Sequence, residues 1–367
     1  MAIKIGIVGM GGIGNTHARC YVNDELAQLV AVCDLVPEKA DKAAAEYGVK
    51  AYYSLADMLA GEPELDVVDV TTSGFENGSW HYEPAMQAMR AGKHVFVEKP
   101  ISNDVREARE MVQYAAEHDL YLACDLNHYF TKPADRAKEL IAEGKIGEPV
   151  YILHKMGFNG NDVDYKGVGS PRWNKPYSHT KAFLAHPFSV MRYFGGDITH
   201  VQCFMNRTGV RNTACDPMYS INSVHVRFEN GSVGYLISQR GDAHFGLGGW
   251  WSFEMAGTKG TFVIENCVEK LSFWDATAEH ENKNQPDPDE ILDTGIKDFG
   301  STFATRLHAF LEDLTNEVPK EHLRSSGRDA LATLEYTFAA IRSFEEGGSL
   351  VRVEPLPNLH GHPKYVW

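Results

Sequence analysis

The junction between an apolar run, Ile3 to Val8, and the glycines of GMGGIG constrains this chain more than any other stretch. Gly9, Gly11 and Gly14 are spaced as G-x-G-x-x-G, after a strand signal and before a helix signal. The next apolar run, residues 28–33 (QLVAVC), closes at Asp34, about twenty residues beyond Gly14. That context is what a dinucleotide-binding turn requires. Gly9 permits the tight turn, and Gly11 lets backbone approach a pyrophosphate. Gly14 allows helix and strand to pack closely, and the helix N-terminus offers N–H groups and a positive dipole end to phosphate.

The first 125 residues continue this alternation. Apolar, β-branched runs recur at 67–70, 94–97 and 120–124, with helical stretches at 15–22, 37–47, 54–60, 81–91 and 104–118. Pro37 and Pro84 sit where a first helical turn tolerates proline, and Ser54 suits an N-cap. Near-continuous apolar strands between amphipathic helices predict a doubly wound parallel sheet covered on both faces. The pattern then changes. A helix at 133–143, a strand from Val150 to His154 and a helix at 180–194 precede runs that alternate apolar and polar residues at 198–206, 219–228, 232–240, 251–256 and 261–264. Alternation over successive strands predicts an antiparallel sheet with one covered face. A polar segment at 275–290 reads as a surface loop, and helices at 302–317 and 327–345 close the pattern. The fold class is therefore α/β, with an N-terminal doubly wound domain over 1–125 and an α+β domain over 126–367.

The charge, 35 basic against 50 acidic residues for a net −15, argues against non-specific binding to nucleic acid or an anionic membrane. No apolar run is long enough to span a bilayer, and the N-terminus breaks into glycines where a signal peptide's apolar core would continue. Six scattered cysteines without a CxxC pair suit reduced thiols and a cytoplasmic protein.

Asp34 bears on the choice of cofactor. A carboxylate at this position accepts from ribose hydroxyls and repels a 2′-phosphate, and Leu35 and Val36 offer that phosphate no cation. NAD is expected over NADP. Glu98, Lys99 and Pro100 directly follow the run at 94–97, and the carboxyl ends of such strands border the ligand crevice.

Together GMGGIG, Asp34, Thr71–Thr72, HYEPAMQAMRAGKHVFVEKP, NHYF and ELIAEGKIGEP resemble the Gfo/Idh/MocA oxidoreductase family. The resemblance implies a Rossmann domain followed by a domain with a large open antiparallel sheet that builds homodimers or homotetramers. It implies sugars, inositols and other polyols as substrates. It makes Lys99 the lysine that touches the reacting hydroxyl and His186 the matching base. Cofactor contacts are expected from Gly9, Gly11, Gly12, Ile13, Gly14, Asp34, Thr71, Thr72, His81, Glu98 and Lys99. Substrate contacts are expected from Lys99, Asn127, Tyr129, Trp173, His179, Lys181 and His186. The family's Asp four residues before the histidine is Ala182 here, and the position three after it, often Asp, is Ser189.

His179 and His186, two turns apart on a continuous helix, would project from similar faces. No third ligand joins them at a metal-binding spacing, so no metal is expected. Tyr129, Tyr165, Trp173, Tyr177, Trp250 and Trp251 are candidates for a sugar-stacking surface. These readings converge on NAD-dependent oxidation of a secondary hydroxyl of a pyranose, glycoside or cyclitol, with position 3 of a glycoside favoured. Two alternatives are an NAD-retaining glycosidase working by oxidation, elimination and reduction, and a non-catalytic NAD- or sugar-sensing regulator.

Overall fold

The computed structural model describes residues 2–73, 80–158, 175–207, 217–240, 243, 245–246, 249–280, 284 and 286–357. It contains two compact units, residues 1–127 with 303–334 and 355–367, and residues 128–302 with 335–354.

The first unit is built on six parallel strands: β1 (Ile3–Val8), β2 (Ala27–Cys33), β3 (Lys50–Tyr52), β4 (Val67–Val70), β5 (His94–Val97) and β6 (Leu122–Cys124). Their order, β3-β2-β1-β4-β5-β6, is that of a Rossmann sheet. Short β3 escaped the sequence reading, because KAY is too brief to carry a periodicity. Helix ends follow local chemistry. Ser54 Oγ accepts from the Asp57 N–H, Asp104 caps the helix Val105–Glu117, and Gly48 ends the helix Pro37–Tyr47 in the left-handed region at φ 68°.

The core joins Ile5, Ile7, Val32, Val67 and Phe96 to Leu307, Phe310 and Leu311 of the helix Ser301–Thr315. Arg306 of that helix is fully buried and donates to the carbonyl oxygens of Cys124 (3.2 and 3.1 Å) and Ser325 (3.2 Å). This packing draws 303–334 into the first unit, a return that the division at 125/126 did not include. An amphipathic pattern shows that a helix has a buried face but not which core receives it.

The second unit carries nine strands. They are β7 (Pro149–Phe158), β8 (Ile198–Asn206), β9 (Ile221–Phe228), β10 (Val233–Arg240), β11 (Trp251–Gly257), β12 (Gly260–Glu265), β13 (Lys270–Asp275), β14 (Glu290–Asp293) and β15 (Val351–Arg352). The sheet order is β14-β13-β12-β11-β7-β10-β9-β8-β15. All pairs are antiparallel except β7 with β10, which run parallel. The β7–β10 pair is the parallel exception in the antiparallel sheet expected, and β14 begins at the last residue, Glu290, of the segment read as a loop. One face is covered: Ile152, Met156, Val224 and Leu236 are fully buried. The other exposes Leu153, Phe204 and Val233. Among the described residues no helix is long and apolar enough to cross a membrane, and none of the five described cysteines is in a disulfide.

The helix expected over 180–194 is two helices, Ser178–Phe183 and Ala185–Gly195, meeting at Leu184. Pro187 is the cause. It has no N–H for the Phe183 carbonyl, so the i→i−4 ladder stops there.

Around the glycine turn, space is distributed unevenly. A Cβ on Gly14 would lie 2.1 Å from the Gly9 carbonyl oxygen and 2.8 Å from Thr71 Oγ1. Gly9 has φ 101°, and its Cβ would meet the Thr72 nitrogen at 2.7 Å. Around Gly11 and Gly12 nothing lies within 4 Å. Gly14→Ala is therefore expected to destabilise the first unit by at least the roughly 1–3 kcal/mol of an overpacked core. Gly11→Val is expected to unfold as wild type does while losing NAD affinity. Urea unfolding and NAD fluorescence titration check both, and an unaffected Gly14→Ala stability would contradict the packing account.

Candidate active site

In the first unit the site begins where β1 turns into the helix Gly12–Val22. Gly11 is the helix N-cap and offers no side-chain cap, so the first-turn N–H groups are not met by a capping side chain. Asp34, at the end of β2, accepts from the Met10 N–H through Oδ2 (2.8 Å) and from the Val36 N–H through Oδ1 (2.9 Å). The carboxylate thus holds the glycine turn in register. Thr71 is buried, with Oγ1 2.7 Å from the Gly9 carbonyl oxygen and 3.1 Å from that of Val8. Its hydroxyl braces the turn from beneath. Thr72 Oγ1 donates to the Trp80 carbonyl (2.8 Å). Open space over Gly11 and Gly12, an uncapped helix start and a carboxylate at the β2 end fit a bound dinucleotide; Ile13 is exposed beside them.

His81 is committed to backbone. Its ring nitrogens lie 2.8 Å from the Pro100 carbonyl oxygen and 2.7 Å from that of Thr72. Burial lowers its pKa to about 4 despite these carbonyls, so the neutral ring, with a single N–H, donates to one of the two. His81 is buried, with both ring nitrogens against backbone carbonyls.

Glu98 and Lys99 follow β5, with a cis bond between Lys99 and Pro100. Glu98 Oε2 accepts from the Lys99 N–H (2.9 Å). Its other oxygen, Oε1, lies 3.6 Å from Nε2 of His17, which also sits 3.5 Å from Asp125 Oδ2. His17 Nδ1 is 2.8 Å from Asp69 Oδ2. All four side chains are buried. Burial alone would lower the His17 pKa, but Asp69, Asp125 and Glu98 together raise it well above 6.5. Burial raises the Glu98 carboxyl against the pull of His17. The cluster is therefore an imidazolium held by three carboxyl groups, one of which has a heightened affinity for a proton. Sequence reasoning missed His17, Asp69 and Asp125. Their signal was a carboxylate inside the apolar strand VVDV, since a charge there needs a buried partner.

In the second unit His186 opens the helix Ala185–Gly195 and is 7% exposed. Its ring stacks on His128, with centroids 3.9 Å apart and planes at 25°. Phe183 stands edge-on to it at 6.2 Å. Ala182 is buried, and Ser189 Oγ donates to the His186 carbonyl (2.7 Å). His179 is fully buried, 3.0 Å from Ser238 Oγ and stacked on Phe183 at 5.0 Å. Lys181 lies over the Phe338 ring at 5.5 Å. Tyr129 packs between Phe130 and Tyr193, at 4.9 and 4.3 Å. Tyr177 donates to Glu345 (2.9 Å), and Trp251 is 1% exposed. Tyr129 and Trp251 are therefore packing residues rather than parts of an exposed stacking surface. Tyr165 and Trp173 fall outside the described residues. Asn127 is buried at the end of the first unit. Lys99 belongs to the first unit and His186 to the second.

The Rossmann sheet, glycine turn and strand-end lysine define a dinucleotide-dependent oxidoreductase. Comparison with known proteins makes the class particular. The family described as the oxidoreductase family with NAD-binding Rossmann fold matches residues 3–126, and the GFO/IDH/MocA C-terminal domain matches residues 134–263. The chain belongs to the Gfo/Idh/MocA oxidoreductase family. It is 24% identical over 355 residues to myo-inositol 2-dehydrogenase of Thermotoga maritima, covering 95% of this chain and 98% of that protein. It is 26% identical over 312 residues to 1,5-anhydro-D-fructose reductase of Ensifer adhaerens, covering 81% and 86%. Levoglucosan dehydrogenase, solved with NADH and levoglucosan, shares the fold with a TM-score of 0.81 at 21% identity, over 96% of this chain and 100% of that one.

Replacing His17 by Ala would leave three buried carboxyl groups without their cation. A loss of about 3–5 kcal/mol is expected, the range for breaking a buried pair. The pH sign follows from a folded pKa raised above the unfolded value of about 6.5. His17's contribution is full below that value and fades as pH rises through the higher folded pKa. Urea unfolding of wild type and His17→Ala should therefore converge at alkaline pH; a gap that widens there would contradict the imidazolium assignment.

Proposed function

We propose that this protein is an NAD-dependent dehydrogenase of a secondary hydroxyl on a pyranose, glycoside or cyclitol ring. The observation carrying this reading is that Lys99 and the glycine turn stand at the same carboxyl edge of one parallel sheet. The relatives named for myo-inositol and 1,5-anhydro-D-fructose support a cyclic polyol or sugar ring. Gly9, Gly11, Gly12, Ile13 and Gly14 would cradle the pyrophosphate, and Asp34 would receive the ribose hydroxyls. Bound NAD supplies the hydride acceptor. His186, as a neutral imidazole, takes the hydroxyl proton. Lys99 donates a hydrogen bond to the same oxygen and stabilises the negative charge that develops there. The exposed apolar side chains on the open sheet face support association with a second copy; a monomer by sedimentation velocity at micromolar concentration would remove that part of the reading.

The test is NADH formation from myo-inositol, levoglucosan, glucose, and O- and C-glycosides. His186→Ala and Lys99→Met should each lower kcat about 10²–10⁴-fold, the scale of lost acid–base assistance. NAD affinity should persist in both. A pH profile of oxidation that His186→Ala leaves unchanged would count against His186 as the base. Wild-type turnover in both variants would defeat the assignment. Turnover of a glycoside with no added NAD would instead favour the oxidation–elimination–reduction route. Cofactor choice is tested separately. Asp34→Ser with Leu35→Arg should shift preference toward NADP, and unchanged discrimination would remove Asp34 as the selector.

A further inference from the structure

Neither Ala182 nor Ser189 places a carboxylate one turn from His186, and the second unit sets an aromatic ring against it, that of His128. Trp251 is buried in β11, where His154 stands edge-on to its indole at 4.9 Å and Phe253 lies at 6.4 Å. From that fixed position its Nε1–H donates to Nδ1 of His128 (3.2 Å). An indole nitrogen can only donate, so Nδ1 of His128 carries a lone pair, and the proton of the neutral ring is on Nε2. The main chain of His128 is held as well. Burial keeps the Cys267 thiol protonated, and its S–H donates to the His128 carbonyl oxygen (3.2 Å). Phe299 packs edge-on to His128 at 4.8 Å and Trp250 at 6.2 Å. The result is an aromatic plate, 4% exposed, with fixed tautomer and fixed plane, lying 3.9 Å from the His186 ring.

We propose that His128 is the positioning residue for His186, orienting the proposed catalytic imidazole by face-to-face stacking. This rests on the reading of His186 as the base. Stacking restricts rotation of the His186 ring about its Cβ–Cγ bond, because turning it edge-on would drive it into the His128 face. A flat ring at residue 128 is what the device requires. The Trp251 hydrogen bond serves to hold that ring still.

Three substitutions separate the ring from the hydrogen bond. His128→Phe keeps the plate and loses the acceptor, His128→Asn keeps an acceptor near the Nδ1 position and loses the plate, and His128→Ala loses both. With whichever of levoglucosan or myo-inositol is oxidised, His128→Ala and His128→Asn should lower kcat about 10–100-fold, the scale of a misplaced catalytic group, with a smaller change in KM. His128→Phe should recover most of that loss. A second readout needs no substrate. In protein labelled with ¹⁵N and ¹³C histidine, His128 Nδ1 should have the shift of an unprotonated acceptor nitrogen. The Cε1–H resonance of His186 should carry a ring-current shift that is kept in His128→Phe and lost in His128→Asn and His128→Ala. Wild-type kcat in His128→Asn, or a His186 resonance indifferent to all three changes, would overturn the proposal. His186→Ala in the same assay keeps the two assignments apart. If it turns over normally, the base assignment fails. If it is inactive while His128→Ala is normal, the positioning role alone fails.

Discussion

Burying a charge costs several kcal/mol unless opposite charge and hydrogen bonds compensate it, and the first unit meets this constraint around one imidazole. His17 lies on the helix that leaves the glycine turn. Its partners lie within β4 (Asp69), just after β5 (Glu98) and just after β6 (Asp125). One ring therefore ties the dinucleotide turn to the ends of three strands. Glu98 extends the tie, since its second oxygen takes the Lys99 N–H. The backbone at Lys99 is set by the same charges that seat the helix leaving the glycine turn. Arg306, buried against the Cys124 carbonyl, brings the distant helix Ser301–Thr315 into this arrangement.

What the sequence made legible was local. G-x-G-x-x-G, Asp34 and Glu98-Lys99-Pro100 each gather their meaning within a few residues of a strand end, and the structure puts them where strand order requires. The ion cluster was not legible in that way. His17 sits in a helix interior with no local mark, and it meets Asp69 of VVDV only when the sheet brings the two within 2.8 Å. A charged residue in an apolar strand announces that a partner exists without saying where it is in the chain. The same limit hid the return of 303–334 to the first unit.

The second unit was harder to read because its site depends on an interruption. Periodicity alone carries a helix through 180–194, but Pro187 breaks it at Leu184. NHYF directed attention to Asn127 and Tyr129, the first buried and the second in an aromatic stack. The residue between them, His128, is the one that meets His186. Nothing in local sequence distinguishes it. Its importance comes from Trp251 and Cys267, far along the chain, which fix its ring and its carbonyl.

The two units thus treat a buried histidine in opposite ways. His17 is surrounded by carboxyl groups that raise its proton affinity, which suits a fixed cation and disqualifies a base that must gain and lose a proton near neutrality. A carboxylate beside a base couples two effects, since it orients the ring and also stabilises its charged form. A neutral aromatic plate separates them. It restrains the plane through packing and contributes no charge of its own. His128 cannot take a proton at Nδ1 without losing the Trp251 donor, so the plate keeps its tautomer. In the proposed mechanism the orientation of His186 is then set by rings, without a fixed charge beside it.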